Sequence, residues 1–325
     1  MIERFSGKTI VILGDPVADQ FLAGRISRVS REAPVFILKH ESTTTVPGAA
    51  ANAAANVASL GGRAILIGAI GNDVNGKALT EKLEAAGVVT TGVVAVDGID
   101  TTTKIRVLAA QNYAPRQQVL RIDYEGEKAL PPDAATILLD NLRAAVLAAD
   151  AIVVSDYGYG SVSGERFEEV KRHALERSIP VIVDSRSRLS QFTEVTSATP
   201  NREEVEAILG PDFSDRDCSA LCDRLGLAAL LVTNGNQGMT LFERGGDPQH
   251  IEAIGSKEPV DVTGAGDTVI AAYALGLASG LAFVEAARVA NHAGGIVVMK
   301  KGTASITAEE LAVSLGGMAG SLAAK

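Results

Sequence analysis

Near the C-terminal end, the run Asp261-Val262-Thr263-Gly264-Ala265-Gly266-Asp267-Thr268 combines bare backbone with a carboxylate. Val269, Ile270, Ala271, Ala272, Tyr273, Ala274, Leu275 and Leu277 follow with no breaker before Gly280, which predicts a helix that starts at the glycines. Gly264 and Gly266 have no side chain to shield their amides. Unpaired amide N–H groups at the positive end of a helix dipole attract anions. Asp267 is then an acid inside a cationic pocket. A carboxylate there cannot help hold an anion by charge, but it can take a proton from a hydroxyl that attacks a phosphoryl group. The structural alternative is a Gly-rich N-terminus with Asp267 neutralising the dipole.

Other acids and amides recur where apolar runs end. Thr9-Ile10-Val11-Ile12-Leu13-Gly14 has the pattern of a central parallel strand covered on both faces. Ligands of such sheets gather at the carboxyl ends of strands, which puts Asp15 and Asp19 at the mouth of a site. They can accept from sugar hydroxyls or cap the next turn. In the Ala-rich stretch from Pro47 to Val57, Gly48 and Asn52 let a small ligand lie against the backbone; otherwise the helix is simply tightly packed. Asn201 and Glu204 have the spacing of a capping box, and alternatively face nucleotide phosphates and their magnesium through water. Arg186 and Arg188, just past the strand that ends at Asp184, reach anionic oxygens or lie as ordinary surface arginines. Gly71 to Lys77 has the spacing of a phosphate loop, but Ala78 stands where Ser or Thr would bind magnesium, and the reading is discounted. Cys218 and Cys222, with no histidine beside them, are expected to be reduced and packed.

Such groups need a scaffold. The 325 residues, 46% hydrophobic with 33 glycines, suffice for one large α/β core. A net charge of −9 and a pI near 5.1 argue against nucleic acid as a partner. No apolar run approaches the ~18 residues of a membrane span, and no signal-peptide pattern opens the chain. No membrane partner and a cytoplasmic location are therefore expected. Apolar runs at Ala64–Gly68, Ala151–Val154, Pro180–Val183 and Leu230–Thr233 alternate with helical stretches, predicting a doubly wound, mainly parallel sheet. Segments of about 20–45 and 101–124 break that rhythm with short alternating pieces. They predict a small discontinuous β lid inserted in a single domain spanning 1–325, which would exclude water. Its free edges predict a homodimer joined through the lid. No Gly-x-Gly-x-x-Gly follows the first strand, which disfavours a nicotinamide dehydrogenase.

The residues 261–267, the Gly48–Asn52 segment and the Asn201-to-Glu204 spacing together resemble the PfkB, or ribokinase-like, family of carbohydrate kinases, from Gly14 to about Thr307. Ser27–Val35, Thr103–Val107, Gln117–Asp123 and Val154–Tyr157 resemble one branch of it, the bacterial D-glycero-β-D-manno-heptose-7-phosphate kinases. The resemblance implies a ribokinase-like fold and ATP-dependent phosphorylation of a sugar or sugar-phosphate hydroxyl, first of all heptose 7-phosphate to the 1,7-bisphosphate. It implies Asp267 as the base and the amides of Gly264, Ala265 and Gly266 as an anion hole. Asp19, Gly48 and Asn52 are then sugar contacts, and Asn201 and Glu204 a pair linked to Mg2+. Thr233, Gly235, Gly238 and Asn291 surround ATP, and Asp261 and Thr263 lie where many members bind a monovalent cation such as K+. Lys104 and Arg106, with Arg31 and Arg121 on adjacent lid segments, are expected to hold the acceptor's phosphate. The alternative for these four is solvated edge charge.

Kinases of this branch are often fused to a nucleotidyltransferase, and a chain ending at Lys325 is expected to hold the kinase half alone. Three positions depart from the branch. Ala49 replaces the second glycine of a Gly-Gly pair, narrowing the sugar pocket by a methyl group. Ser185-Arg186 replaces Pro-Lys after Asp184, and Tyr159 replaces a lysine. Rival readings are a kinase for ribose, fructose or a hexose phosphate, and a non-catalytic sugar- or nucleotide-sensing protein on the same fold.

Overall fold

The structure, a computed structural model, describes residues 2–110, 116–125, 129–256 and 258–322. Residues 111–115 of the second lid segment read from the sequence, and the chain ends of the 1–325 domain, lie outside the described residues. In chain order the strands are β1 (Thr9–Gly14), β2 (Pro16–Val29), β3 (Phe36–Ala49), β4 (Arg63–Gly71), β5 (Val89–Val96), β6 (Thr103–Ala110), β7 (Gln117–Tyr124), β8 (Ala151–Asp156), β9 (Val181–Ser185), β10 (Ser197–Ala198), β11 (Ala229–Thr233), β12 (Met239–Glu243) and β13 (Gln249–Ile251). The helices are α1 (Ala50–Ser59), α2 (Val74–Ala85), α3 (Pro132–Val146), α4 (Gly164–Arg177), α5 (Arg202–Leu209), α6 (Asp215–Arg224), α7 (Ala265–Ala278), α8 (Phe283–Val297) and α9 (Ala308–Leu322).

A 9-stranded sheet runs β13-β12-β11-β10-β9-β8-β1-β4-β5, parallel from β5 to β11 and antiparallel at β12 and β13. The apolar run of β1 serves both faces of this sheet. Ile10 and Ile12 enter the core beneath α1, α7 and α8, while Val11 and Leu13 enter the core beneath α3, α4 and α6. All four are fully buried, each contributing about 1.5–3 kcal/mol relative to exposure. From β1 the chain builds outward to β4 and β5 on one side and later to β8, β9, β10 and β11 on the other. That reversal leaves a crevice at the carboxyl ends of β1, β8 and β9, where ligands of such sheets bind.

A 4-stranded sheet, β3-β2-β6-β7, stands over this crevice. β2 leaves β1 through Asp15 alone, and β3 runs directly into α1. β2 and β6 pair in parallel, with Asp19 opposite Lys104 and Phe21 opposite Arg106. One register therefore decides which lid side chains look into the crevice. No described helix is long and apolar enough to cross a membrane.

Candidate active site

Helix α7 begins at Gly264, whose φ of 76° is in the left-handed region that glycine adopts without cost. Of the three amides read as an anion hole, that of Ala265 is committed, because it donates to the Val262 carbonyl at 3.2 Å. Among the described residues the amides of Gly264, Gly266 and Asp267 have no acceptor. The tight turn Val262–Ala265 consumes the N–H of Ala265.

Asp267 lies at the first turn of α7 and is 4% exposed. Asn52 Nδ2 donates to its Oδ2 at 2.8 Å, and the Tyr157 phenol donates to its Oδ1 at 2.9 Å. Burial pushes the Asp267 carboxyl up to about 7, against the two hydrogen bonds that lower it. That is a value suited to a general base near neutral pH. Asn52 also donates to the Gly264 carbonyl at 3.3 Å and accepts from Asn56 at 3.1 Å. Its amide is occupied by protein, so its main geometric effect is to clamp the acid against the α7 turn.

Asp19 faces Asp267 from the lid side. Arg106 Nη1 donates to Asp19 Oδ1 at 2.6 Å, and Thr303 Oγ1 donates to Oδ2 at 2.8 Å. Each oxygen keeps a second lone pair for a sugar hydroxyl. Gly48 is required beside it: a Cβ there would lie 2.7 Å from Asp19 Oδ2. The next residue, Ala49, has φ 53° and ψ −131°, a backbone state that costs a residue with a Cβ about 1–3 kcal/mol. Ala49→Gly is therefore expected to raise stability by about 1 kcal/mol, net of glycine's greater unfolded-state entropy, read as a higher midpoint in denaturant. A lower midpoint would show that the Ala49 methyl contributes more in packing than it costs in strain.

The lid cations do not act alike. Arg106 is spent on Asp19, and both Nε and Nη2 of Arg121 are spent on Asp123, at 2.9 and 2.8 Å. Arg31 is exposed in the loop between β2 and β3. Lys104 alone of the four makes no ion pair among the described residues while facing the crevice. Its ammonium lies 5.9 Å from the Tyr157 ring centroid and 5.7 Å from that of Tyr159. Burial, with the Arg186 charge behind it, holds the Lys104 ammonium below the usual lysine range. Tyr159, in the place of a lysine, donates to Glu125 at 2.9 Å and so ties the loop after β8 to the end of β7.

Asp15 is not part of the mouth that its position suggested. It turns inward and accepts from the amides of Tyr157, Tyr159 and Ser161 at 2.9, 3.1 and 2.8 Å. It is a brace for the loop that carries Tyr157. Arg188 is likewise committed, gripping Asp156 with Nε and Nη2. Arg186 makes no ion pair among the described residues.

On the nucleotide side, Asn201 and Glu204 complete a capping box for α5, with both bonds at 2.9 Å. Burial holds the Glu204 carboxyl above its usual range. Asp184, at the end of β9, is raised further by burial and by the neighbouring Glu204 and Asp267 charges. Among the described residues no three His, Cys, Asp or Glu side chains gather as metal ligands, so Asp184 and Glu204 offer carboxylates to a hydrated cation rather than a closed cage. Thr233, Gly235, Gly238, Gly266 and Asn291 line a cavity of about 170 Å3, with Met239, Ile254, Val262 and Val269 as apolar walls. Asn291 Nδ2 donates to the Glu252 carbonyl at 2.7 Å and fixes one wall of this slot. The dimensions and lining suit a flat heteroaromatic ring. Asp261 accepts from the amides of Thr263 at 3.0 Å and Gly302 at 2.9 Å, tying the loop before α7 to the loop that carries Thr303. Cys218 and Cys222 are buried free thiols, each pushed up to about 11 by burial.

Tyr157, Thr303 and Asp184 were not singled out as site residues from sequence. Only Asp184 had a readable signal, an acid at the carboxyl end of a parallel strand.

Comparison with known proteins matches residues 17–310 to the pfkB family of carbohydrate kinases. The chain is 39% identical over 320 residues to the bifunctional protein HldE of Mesorhizobium japonicum, covering 97% of this chain and 63% of that protein. It is 38% identical over 322 residues to the bifunctional protein HldE of Vibrio parahaemolyticus, covering 98% and 65%. The chain thus spans less than two thirds of the length of these relatives. Among solved structures, ribokinase of Arabidopsis thaliana complexed with ribose and ATP superposes with a TM-score of 0.72 at 23% identity, over 95% of this chain and 99% of that one. Phosphofructokinase-2 of Escherichia coli in complex with potassium gives 0.77 at 20% identity, over 96% and 99%.

Proposed function

The chain belongs to the pfkB family of carbohydrate kinases, and we propose that it transfers the γ-phosphoryl group of ATP to a hydroxyl of a heptose 7-phosphate. The likeness to the HldE proteins favours that acceptor over ribose, fructose or a hexose phosphate. One observation carries the mechanism: a buried carboxylate, Asp267, held between Asn52 and Tyr157 beside three free amides and facing Asp19. Asp19 accepts a hydrogen bond from the sugar and orients it. The acceptor hydroxyl gives its proton to Asp267 as its oxygen bonds to the γ-phosphorus and the bond to the β–γ bridging oxygen breaks. The amides of Gly264, Gly266 and Asp267 stabilise charge on the transferring group. Bound Mg2+ would neutralise phosphate charge, and Asn201 and Glu204 would hold it through water. Asp261 and Thr263 are the residues that would serve a monovalent cation such as K+. Lys104 is the cation for the acceptor's phosphate.

The test is ATP turnover against a panel of neutral sugars and sugar phosphates. A purified, folded chain that turns over ATP with none of them would favour the sensing protein instead.

We further propose that two copies join through the lid. Val29, Phe36, Val119, Leu120, Ile122 and Tyr124 are between 39% and 57% exposed on β2, β3 and β7, an apolar surface that a second lid would cover. Light scattering at high micromolar concentration is expected to give twice the chain mass; a monomer there would contradict the proposal.

A further inference from the structure

A carboxylate buried as deeply as Asp267 favours its protonated form, and a protonated acid takes no proton. Two donors oppose this, Asn52 at Oδ2 and Tyr157 at Oδ1. Together they use one lone pair on each oxygen and define the carboxylate plane, leaving the other pairs for an acceptor hydroxyl. The two donors are not equivalent. Asn52 also serves Gly264 and Asn56, whereas the Tyr157 phenol bonds to Asp267 alone among the described residues.

Burial, then the Asp267 and Asp184 charges, push the Tyr157 phenol well above its ordinary range, so it remains a donor at any working pH. Its backbone is pinned by Asp15, and its ring lies beneath Lys104 of β6. The charged groups around the pair are Lys104 and Asp19 from the lid, and Asp184, Arg186 and Glu204 from the strand ends and α5.

Resting on the reading of Asp267 as the base, we propose that Tyr157 is a positioning residue for the transfer. Its O–H keeps the buried Asp267 carboxylate ionised and turned toward the acceptor hydroxyl. The acceptor's proton passes to Asp267, and Tyr157 keeps its own throughout.

Tyr157→Phe removes the O–H and keeps the ring under Lys104. Its kcat/KM for the acceptor, measured from about pH 5.5 to about pH 9.5 beside wild type and Asp267→Asn, is expected to show the acidic limb moved up by about one pH unit. Activity on the acid side then falls about tenfold and recovers to within about twofold of wild type at the alkaline end, with the KM for ATP unchanged. Site-specific 3-fluorotyrosine at position 157, a stronger donor, should move the limb the other way and keeps the test usable if the Phe variant does not fold. An unmoved limb, or an equal loss at every pH, overturns the positioning role while an inactive Asp267→Asn leaves the base in place. If Asp267→Asn keeps most of its activity, the base assignment itself is lost and the positioning role with it.

Discussion

Asp267→Asn is expected to lower kcat by about 100-fold or more, the range for losing a general base, with little change in ATP affinity. Asn is nearly isosteric and, turned with its oxygen toward Asn52, can accept from that amide and donate to the Tyr157 hydroxyl, so the site's shape should survive. What disappears is the lone pair that takes the acceptor's proton. The same substitution should also change stability, and the sign follows from the raised pKa. Burial lifts Asp267 from the usual 3.8 to about 7, so the folded chain binds this proton more tightly than the unfolded chain does. The stabilisation from the protonated form is complete below about pH 4 and is lost as the pH rises through about 7. Above that, wild type carries a buried charge that the Asn variant lacks. The gap is worth at most about 4 kcal/mol, reduced by the hydrogen bonds an amide makes less well. Melting of the variant should therefore match wild type near pH 4 and exceed it at pH 8. Retention of most kcat in the folded variant would falsify the base assignment.

Lys104→Met should cost about 1.5–3 kcal/mol in kcat/KM with a phosphorylated acceptor, a loss of roughly 10- to 150-fold typical of a charged hydrogen bond. Met keeps the apolar stem between Tyr157 and Tyr159 and removes the charge. Of the other lid cations, Arg106 is committed to Asp19 and Arg121 to Asp123, which leaves Arg186, without an ion pair among the described residues, as the one neighbouring cation that could share the phosphate. With a neutral sugar the loss should shrink, since no phosphate is there to be left unpaired. Heptose 7-phosphate or a similar sugar phosphate should also exceed every neutral sugar in kcat/KM. If ribose or fructose is the better substrate and Lys104→Met is indifferent, the heptose reading fails and the carbohydrate kinase remains.

What could be read from the chain alone was whatever depends on neighbours in sequence. Continuous apolar runs such as Ile10–Leu13 announce a strand covered on both faces, because no polar side can be spared. The Gly264–Asp267 turn announces its helix start, and Asn201 and Glu204 their cap, because those bonds span at most a few residues, while which amides of the turn stay free was set by the Val262–Ala265 bond. Three-dimensional contacts decided the rest. Asp15 and Asp19 looked equivalent as acids after β1, yet one faces a loop of bare amides and braces it, while the other meets Arg106 and Thr303. Lys104 and Arg106 looked equivalent as alternating cations. The parallel register of β2 against β6 brings Arg106 within reach of the Asp19 carboxylate and leaves Lys104 over two tyrosines. Tyr157 was invisible as a partner of Asp267 because the two are 110 positions apart and meet only where β8 ends beside α7. A local pattern specifies the groups a segment offers; which of them stay free for chemistry depends on what the fold packs against each one, since a buried polar group must find a partner wherever the chain brings one.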